Sequence, residues 1–219
     1  MSKIKSIIRL QKEMKEMNEK ELDVVFILDK SGSMRGTESD TVGGYNSYIE
    51  SFKDKNAKIT TVLFNWHYEM ITRRKNVSDV KELTTKKYRV GGGTALLDAI
   101  GKSIRFMEKQ KAKKVIFIIT TDGEENSSTR YSKTDIKELI KKHDNWEFIY
   151  IGANIDSYAE GQSIGIKRDN IANYSKDRQG ISTMFKAMCA ATEDFYEDNE
   201  INTSWKKDLD TFINENIFD

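Results

Sequence analysis

Asp29, Ser31 and Ser33 stand two residues apart in the stretch Asp-Lys-Ser-Gly-Ser, directly after the apolar run 22–28. One carboxylate and two hydroxyls, spaced across a glycine, are hard oxygen donors of the kind that hold Mg²⁺ and similar divalent cations. Their position matters as much as their chemistry, because open α/β sheets bind ligands at the carboxyl ends of strands. Two further stretches carry matching groups. Asp122 follows the apolar run 115–119 in Thr-Thr-Asp-Gly-Glu-Glu, so a second strand end bears a carboxylate. Thr94 follows Gly91, Gly92 and Gly93 and opens the periodic stretch 96–107. A glycine run lets the backbone approach a ligand closely, and a hydroxyl residue is favoured at a helix start on its own account. If the two strands are neighbours, Asp29, Ser31, Ser33, Thr94 and Asp122 meet in one crevice. Two carboxylates there need a cation, since like charges at short range repel.

The elements that would position these groups follow from hydrophobic patterning. The runs 22–28, 59–64, 115–119 and 148–151 are short and rich in β-branched residues, as interior strands of a parallel sheet are when both faces are buried. Between them, Tyr45, Tyr48, Ile49 and Phe52 mark the core face of one helix. Leu96, Leu97, Ile100, Ile104 and Met107 mark a second, and Ile136, Leu139 and Ile140 a third. Alternating strands and helices imply βαβ crossovers. Residues 66–75 read as an antiparallel return strand after Phe64, and 171–174 as a weak last strand. Helices around 184–191 and 205–213 close the chain. The expected fold is α/β, a doubly wound, Rossmann-like, mostly parallel six-stranded sheet flanked by helices, with one antiparallel edge strand. The expected organisation is an N-terminal amphipathic helix over residues 1–20, a domain over 21–195 and a C-terminal helical extension over 196–219. Ile4, Ile7, Ile8, Leu10, Met14 and Met17 carry the first of these.

Composition narrows the function classes. The chain has 219 residues, 36 basic and 35 acidic, for a formal net charge of +1. That balance gives no reason to expect nucleic-acid or anionic-membrane binding. A single cysteine excludes an internal disulfide and fits a reducing, cytoplasmic setting. The apolar runs fall far short of the roughly 20 residues a membrane span needs, and the N-terminus lacks the apolar core of a secretory signal.

Asp29-x-Ser31-x-Ser33, a distant Thr94 after glycines, and Asp122-Gly123 resemble the metal-ion-dependent adhesion site (MIDAS) of von Willebrand factor A (vWA) domains. The resemblance covers roughly residues 20–195. It is nearest to stand-alone bacterial and phage members, through Gly43-Gly44-Tyr45-Asn46, Thr94-Ala95-Leu96-Leu97-Asp98-Ala99 and Gly152-Ala153-Asn154. It implies that Ser31, Ser33 and Thr94 are direct metal ligands and that Asp29 and Asp122 act as charged contacts around them. The implied metal is Mg²⁺, with Mn²⁺ or Ca²⁺ as alternatives. The implied function is a protein-binding module whose metal accepts an Asp or Glu carboxylate from a partner, an AAA-type ATPase system being one candidate. Neutral hydroxyl ligands suit that role, because they leave the cation under-neutralised toward an incoming carboxylate.

Other signals carry less. Asp29 to Asp40 spans twelve positions like a calcium loop, but the sixth is Met34 where glycine is required, and a strand precedes it. Gly101-Lys102-Ser103 lies within a helical stretch and lacks the upstream glycine of a phosphate loop. His67 and His143 have no ligand-spaced partners. Cys189, one turn after Phe185, reads as part of a packed helix face. Glu124 and Glu125 read as solvated loop charges, and Trp66, Tyr68 and Trp205 as core or edge cover. Two functions compete with metal-dependent protein binding. One is a metal-dependent hydrolase of phosphate esters, since an open metal position can activate water. The other is a structural protein that self-associates.

Overall fold

The computed structural model describes residues 21–153 and 156–216; the helix expected before residue 21 lies outside them. One six-stranded sheet is built from β1 (Leu22–Asp29), β2 (Ala57–Phe64), β3 (Tyr68–Asn76), β4 (Val115–Thr121), β5 (Trp146–Gly152) and β6 (Ile171–Asn173). Their order is β3-β2-β1-β4-β5-β6. Every neighbouring pair is parallel except β2 with the edge strand β3. The chain thus leaves β1 in one direction through β2 and β3, then returns to the other side of β1 with β4. This reversal makes the carboxyl ends of β1 and β4 the switch point of the sheet, where a crevice opens between the diverging loops.

Helices cover both faces. They are α1 (Glu38–Ser51), α2 (Leu96–Gln110), α3 (Lys133–Lys141), α4 (Ser157–Ser163), α5 (Arg178–Asp198) and α6 (Lys207–Asn216). Strand β1 shows why its sequence is continuously apolar. Leu22, Val24, Phe26 and Leu28 enter one core with α1, α5 and the C-terminal segment. Val25 and Ile27 enter a second core with α2 and α3. Alternate side chains of a strand point to opposite faces, so a strand covered on both sides is apolar except where a polar residue finds a partner, as Asp23 does in Arg74. In the first core, the Phe26 ring meets Tyr48 edge-on at 4.7 Å between centroids. The phenols of Tyr45 and Tyr48 are satisfied by Thr61 Oγ1 and Thr192 Oγ1, at 2.7 and 2.8 Å.

The doubly wound sheet with one antiparallel edge strand is the architecture its sequence pattern predicts. Helix α4 escapes that pattern. It has seven residues, and its buried positions are Ser157 and Gly161 rather than an apolar stripe. Helix α5 continues unbroken to Asp198, and beyond it Trp205 and Leu209 are buried in the first core. Cys189 is partly buried against that same core.

Helices α1 and α5 pack closely at Gly44. A Cβ placed there would stand 2.0 Å from Cδ2 of Phe185, a ring that is itself buried. Alanine ordinarily stabilises a helix by about 1 kcal/mol over glycine, but forcing extra volume into a packed core costs about 1–3 kcal/mol. At 2.0 Å the overpacking dominates. Gly44→Ala should therefore lower unfolding free energy by roughly 1–2 kcal/mol in a denaturant titration. An unchanged or raised midpoint would mean that the two helices do not approach this closely.

Candidate metal centre

The parallel register of β1 and β4 pairs Leu28 with Thr120. The next residues, Asp29 and Thr121, therefore leave adjacent strands side by side. Thr121 Oγ1 donates to Asp29 Oδ2 at 2.6 Å, and the backbone N–H of Ser31 donates to Asp29 Oδ1 at 2.6 Å. Both oxygens of a fully buried carboxylate are thus occupied by fixed donors. The Tyr88 hydroxyl donates to the Asp29 carbonyl oxygen and ties the segment before the glycine run to the end of β1.

The turn after Asp29 brings the two serines together. Ser31 is buried, Ser33 is exposed, and their Oγ atoms lie 2.9 Å apart. Ser33 Oγ donates to Asp122 Oδ1 at 2.5 Å, linking the end of β1 to the end of β4. The glycine run is stitched alongside by backbone bonds, Gly91 N–H to Lys30 O at 2.8 Å and Gly32 N–H to Gly92 O at 2.9 Å. Gly92 has φ of +88°, and Trp66 ring carbons lie 3.0 Å from where its Cβ would be. A larger residue would be strained there and would clash.

Thr94 follows this run and is 2 % exposed. Its backbone N–H donates to Asn126 Oδ1 at 2.9 Å, and its carbonyl accepts from Asn126 N–H at 3.1 Å. The hydroxyl is brought to the serines. A Cβ built on Gly123 would lie 3.2 Å from both Ser33 Oγ and Thr94 Oγ1, and 4.0 Å from Ser31 Oγ. Three hydroxyl oxygens therefore lie within 4.0 Å of one point beside Gly123, with the Asp122 carboxylate on the chain immediately before it. The five residues singled out from the sequence are brought to one place.

Several supporting residues gave no sequence signal of their own. Glu125 is a brace, not a solvated charge. Its carboxylate accepts from the backbone N–H groups of Leu97, Ser127 and Ser128 at 2.9, 2.8 and 2.7 Å, and from Ser128 Oγ at 2.7 Å. It thereby pins the loop after β4 to the start of α2, where a negative charge also suits the helix dipole. Asp98 Oδ1 accepts from Arg130 and Tyr131 N–H and holds the far end of that loop. Trp66 is 65 % exposed and leans over the glycine run, so it rims the crevice instead of covering a core or an edge. Of the histidines, His143 stacks on Trp146 at the start of β5, the opposite end of the sheet, and His67 is exposed in the β2–β3 turn.

Electrostatically the crevice is acidic. Burial drives the Asp29 carboxyl from its ordinary 3.8 up to about 6, against the opposing hydrogen bonds from Thr121 and Ser31, with the nearby Asp122 charge pushing the same way. Keeping it charged costs roughly 3 kcal/mol. Asp122 Oδ2 is buried and accepts no hydrogen bond. Lys176 Nζ is 2.8 Å from it, an ion pair in distance but misdirected as a hydrogen bond. Hard oxygens around a single point, with an excess of negative charge and one buried carboxylate oxygen short of a hydrogen bond, fit a hard divalent cation. Among the described residues no three His, Cys, Asp or Glu side chains converge on such a point. The oxygens gathered here belong to two carboxylates and three hydroxyls.

The profile of the von Willebrand factor type A domain matches residues 23–187. No curated protein sequence matches the chain. Solved structures with a similar fold include a von Willebrand factor type A protein from Catenulispora acidiphila, at 19 % identity and a TM-score of 0.60, covering 78 % of this chain and 42 % of that one. Proximal thread matrix protein 1 from the mussel byssus, with a zinc-occupied MIDAS motif, aligns at 15 % identity and a TM-score of 0.56, covering 78 % of this chain and 47 % of its own. The pilus adhesin SpaC from Lactobacillus rhamnosus GG, in an open conformation, aligns at 13 % identity and 0.63, covering 80 % and 30 %. The chain spans less than half the length of each of these three proteins.

The sign of the Asp29 shift yields a test. A carboxyl group with a raised folded-state pKa favours folding most below its unfolded value near 4, and that contribution is lost as pH rises through about 6. In chelator at pH 7.5, Asp29→Asn should raise the melting temperature by removing the buried charge. At pH 5 the gain should fall to roughly half, and it should disappear only below about pH 4, where Asp29 is protonated in the folded and the unfolded chain alike. A lower melting temperature for the variant at pH 7.5 would show that the charged form is stabilised here.

Proposed function

This chain belongs to the von Willebrand factor type A domain family, and we propose from its crevice that it is a metal-dependent protein-binding module of the adhesion type. Asp29, Ser31, Ser33, Thr94 and Asp122 would hold one divalent cation, and Mg²⁺ is the ion that this all-oxygen donor set suits best. The observation that carries the reading is the convergence of three hydroxyl oxygens on one point beside Gly123, next to two buried carboxylates. When bound, the ion would supply a Lewis-acidic position for a carboxylate of the partner.

The protein's own residues define the rest of the surface. Ser33 is exposed at the crevice mouth, and Trp66 stands on its rim over the glycine run. An exposed Trp beside a polar centre is the kind of residue that anchors protein interfaces. The names of similar structures lend support of two kinds: one has zinc at a MIDAS motif, and another is a pilus adhesin. A partner presenting an Asp or Glu side chain is the occupant that fits an under-neutralised cation. Among the described residues no helix is long and apolar enough to cross a membrane.

Calorimetric titration with Mn²⁺ and Mg²⁺ tests the metal half of this proposal. The wild type should bind one equivalent, and Ser33→Ala and Asp122→Ala should weaken binding at least tenfold while circular dichroism stays unchanged. Capture of partners in Mg²⁺ and in chelator tests the other half, with Asp29→Ala in parallel. A partner retained equally in all conditions would place the interface away from the crevice.

A further inference from the structure

The crevice already contains a positive charge supplied by the chain. Lys176 comes from the segment between β6 and α5, and its Nζ lies 2.8 Å from Asp122 Oδ2 while donating to the carbonyl oxygen of Ser33. It therefore touches two of the five candidate residues, one through a carboxylate and one through the backbone. The Asp122 side chain is fully buried and the Lys176 side chain only about a quarter exposed. A pair in that setting is screened far less than a surface ion pair, and breaking it leaves an uncompensated buried charge.

The position of Lys176 is fixed by what flanks it. Tyr174 N–H donates to Gly152 O at 2.9 Å, which anchors the end of β6 to β5. Asp177 is the N-cap of α5, accepting from Gly180 N–H at 2.8 Å, and Ser175 Oγ donates to its other carboxylate oxygen. Lys176 sits between these two anchors, so its reach into the crevice is set by rigid elements on both sides. Its neighbours Ser175 and Asp177 turn to each other and to the helix, whereas Tyr174, whose hydroxyl donates to Met34 Sδ at 3.8 Å, and Lys176 turn to the end of β1, and of these Lys176 carries the charge.

Resting on the metal-site reading above, we propose that Lys176 is an internal cation that competes with the divalent ion for Asp122 and so sets the metal affinity of the site. An ammonium on Asp122 Oδ2 offsets part of the negative charge that would otherwise attract the ion. Binding the metal requires Lys176 to give up that contact or to tolerate a second cation nearby, and either costs affinity. The site is thereby tuned to load only at higher metal concentration than its oxygens alone would dictate. Lys176 is a positioning and affinity-setting residue in this scheme, not a metal ligand.

The test compares wild type, Lys176→Met, Lys176→Gln and Lys176→Arg, with Asp122→Ala as the control that removes the site. All are purified in Mg²⁺ and dialysed against chelator, then titrated with Mn²⁺ by calorimetry. Lys176→Met and Lys176→Gln should bind Mn²⁺ at least tenfold more tightly than wild type, and Lys176→Arg should stay within about threefold of it. Melting temperature against Mn²⁺ concentration is the second readout, and it applies even to a variant that is unstable in chelator. The two neutral variants should show a larger rise and reach it at lower metal, because an ion that binds only the folded state stabilises it according to its affinity. Equal or weaker Mn²⁺ binding by both neutral variants, with the wild type binding normally, overturns the role of Lys176 and leaves the metal site standing. No binding by wild type or any variant overturns the metal site and this role with it. Binding by the neutral variants alone supports both.

Discussion

Burying the carboxylates of Asp29 and Asp122 at the ends of adjacent parallel strands creates a solvation cost that the surrounding groups must offset. A buried carboxylate is tolerated only when hydrogen-bonded or paired. Asp29 is held by hydroxyl and backbone donors, from Thr121 and Ser31, and still carries a raised pKa. Asp122 takes the Ser33 hydroxyl on one oxygen and the Lys176 ammonium beside the other. The two solutions differ, and the difference explains the chemistry of the crevice. Both Asp29 oxygens accept hydrogen bonds from fixed donors, whereas Asp122 Oδ2 accepts none.

The loops around these carboxylates come from distant parts of the chain, yet they behave as one unit because polar groups of each close on the backbone of another. Backbone bonds fasten the glycine run to the turn after β1, Asn126 brackets Thr94 on both sides, and Glu125 ties the loop after β4 to the first turn of α2. Asn65 adds a further link, donating to the Gly91 carbonyl at 2.5 Å and accepting from Ala95 N–H through its own carbonyl. Loops that present functional groups are ordinarily the mobile part of an α/β fold. Here the hydroxyls of Ser31, Ser33 and Thr94 are placed by backbone contacts that leave little freedom, which suits a site whose donors have to meet at one point.

Sequence patterning reached the sheet, the larger helices and the five residues of the crevice, and the reasons can be traced in particular elements. β1 is legible because burial on both faces removes every polar residue between Leu22 and Leu28 except Asp23, which is neutralised by Arg74 at 2.8 Å. α2 is legible because Leu96, Leu97, Ile100, Ile104 and Met107 keep helical spacing along one buried face. α4 was not, since a seven-residue helix that buries a serine and a glycine has no apolar stripe to read. Trp66 departs from the expected cover for a related reason: an aromatic residue between strands is usually covered, and nothing local shows that a glycine run passes beneath it.

The amino-acid sequence by itself determined the kind of donors present and the strand ends that bear them, because strand ends and oxygen-bearing side chains are local properties that a few neighbouring residues express. Only the tertiary structure decided that β1 and β4 are adjacent, that the three hydroxyls lie close to one point beside Gly123, that Glu125 and Asn126 serve as braces, and that a lysine from the segment between β6 and α5 reaches Asp122. Such contacts join residues up to 143 positions apart, as Lys176 and Ser33 are. No periodicity links residues so distant; their meeting is fixed by strand order and by the burial of charge, which belong to the folded chain as a whole.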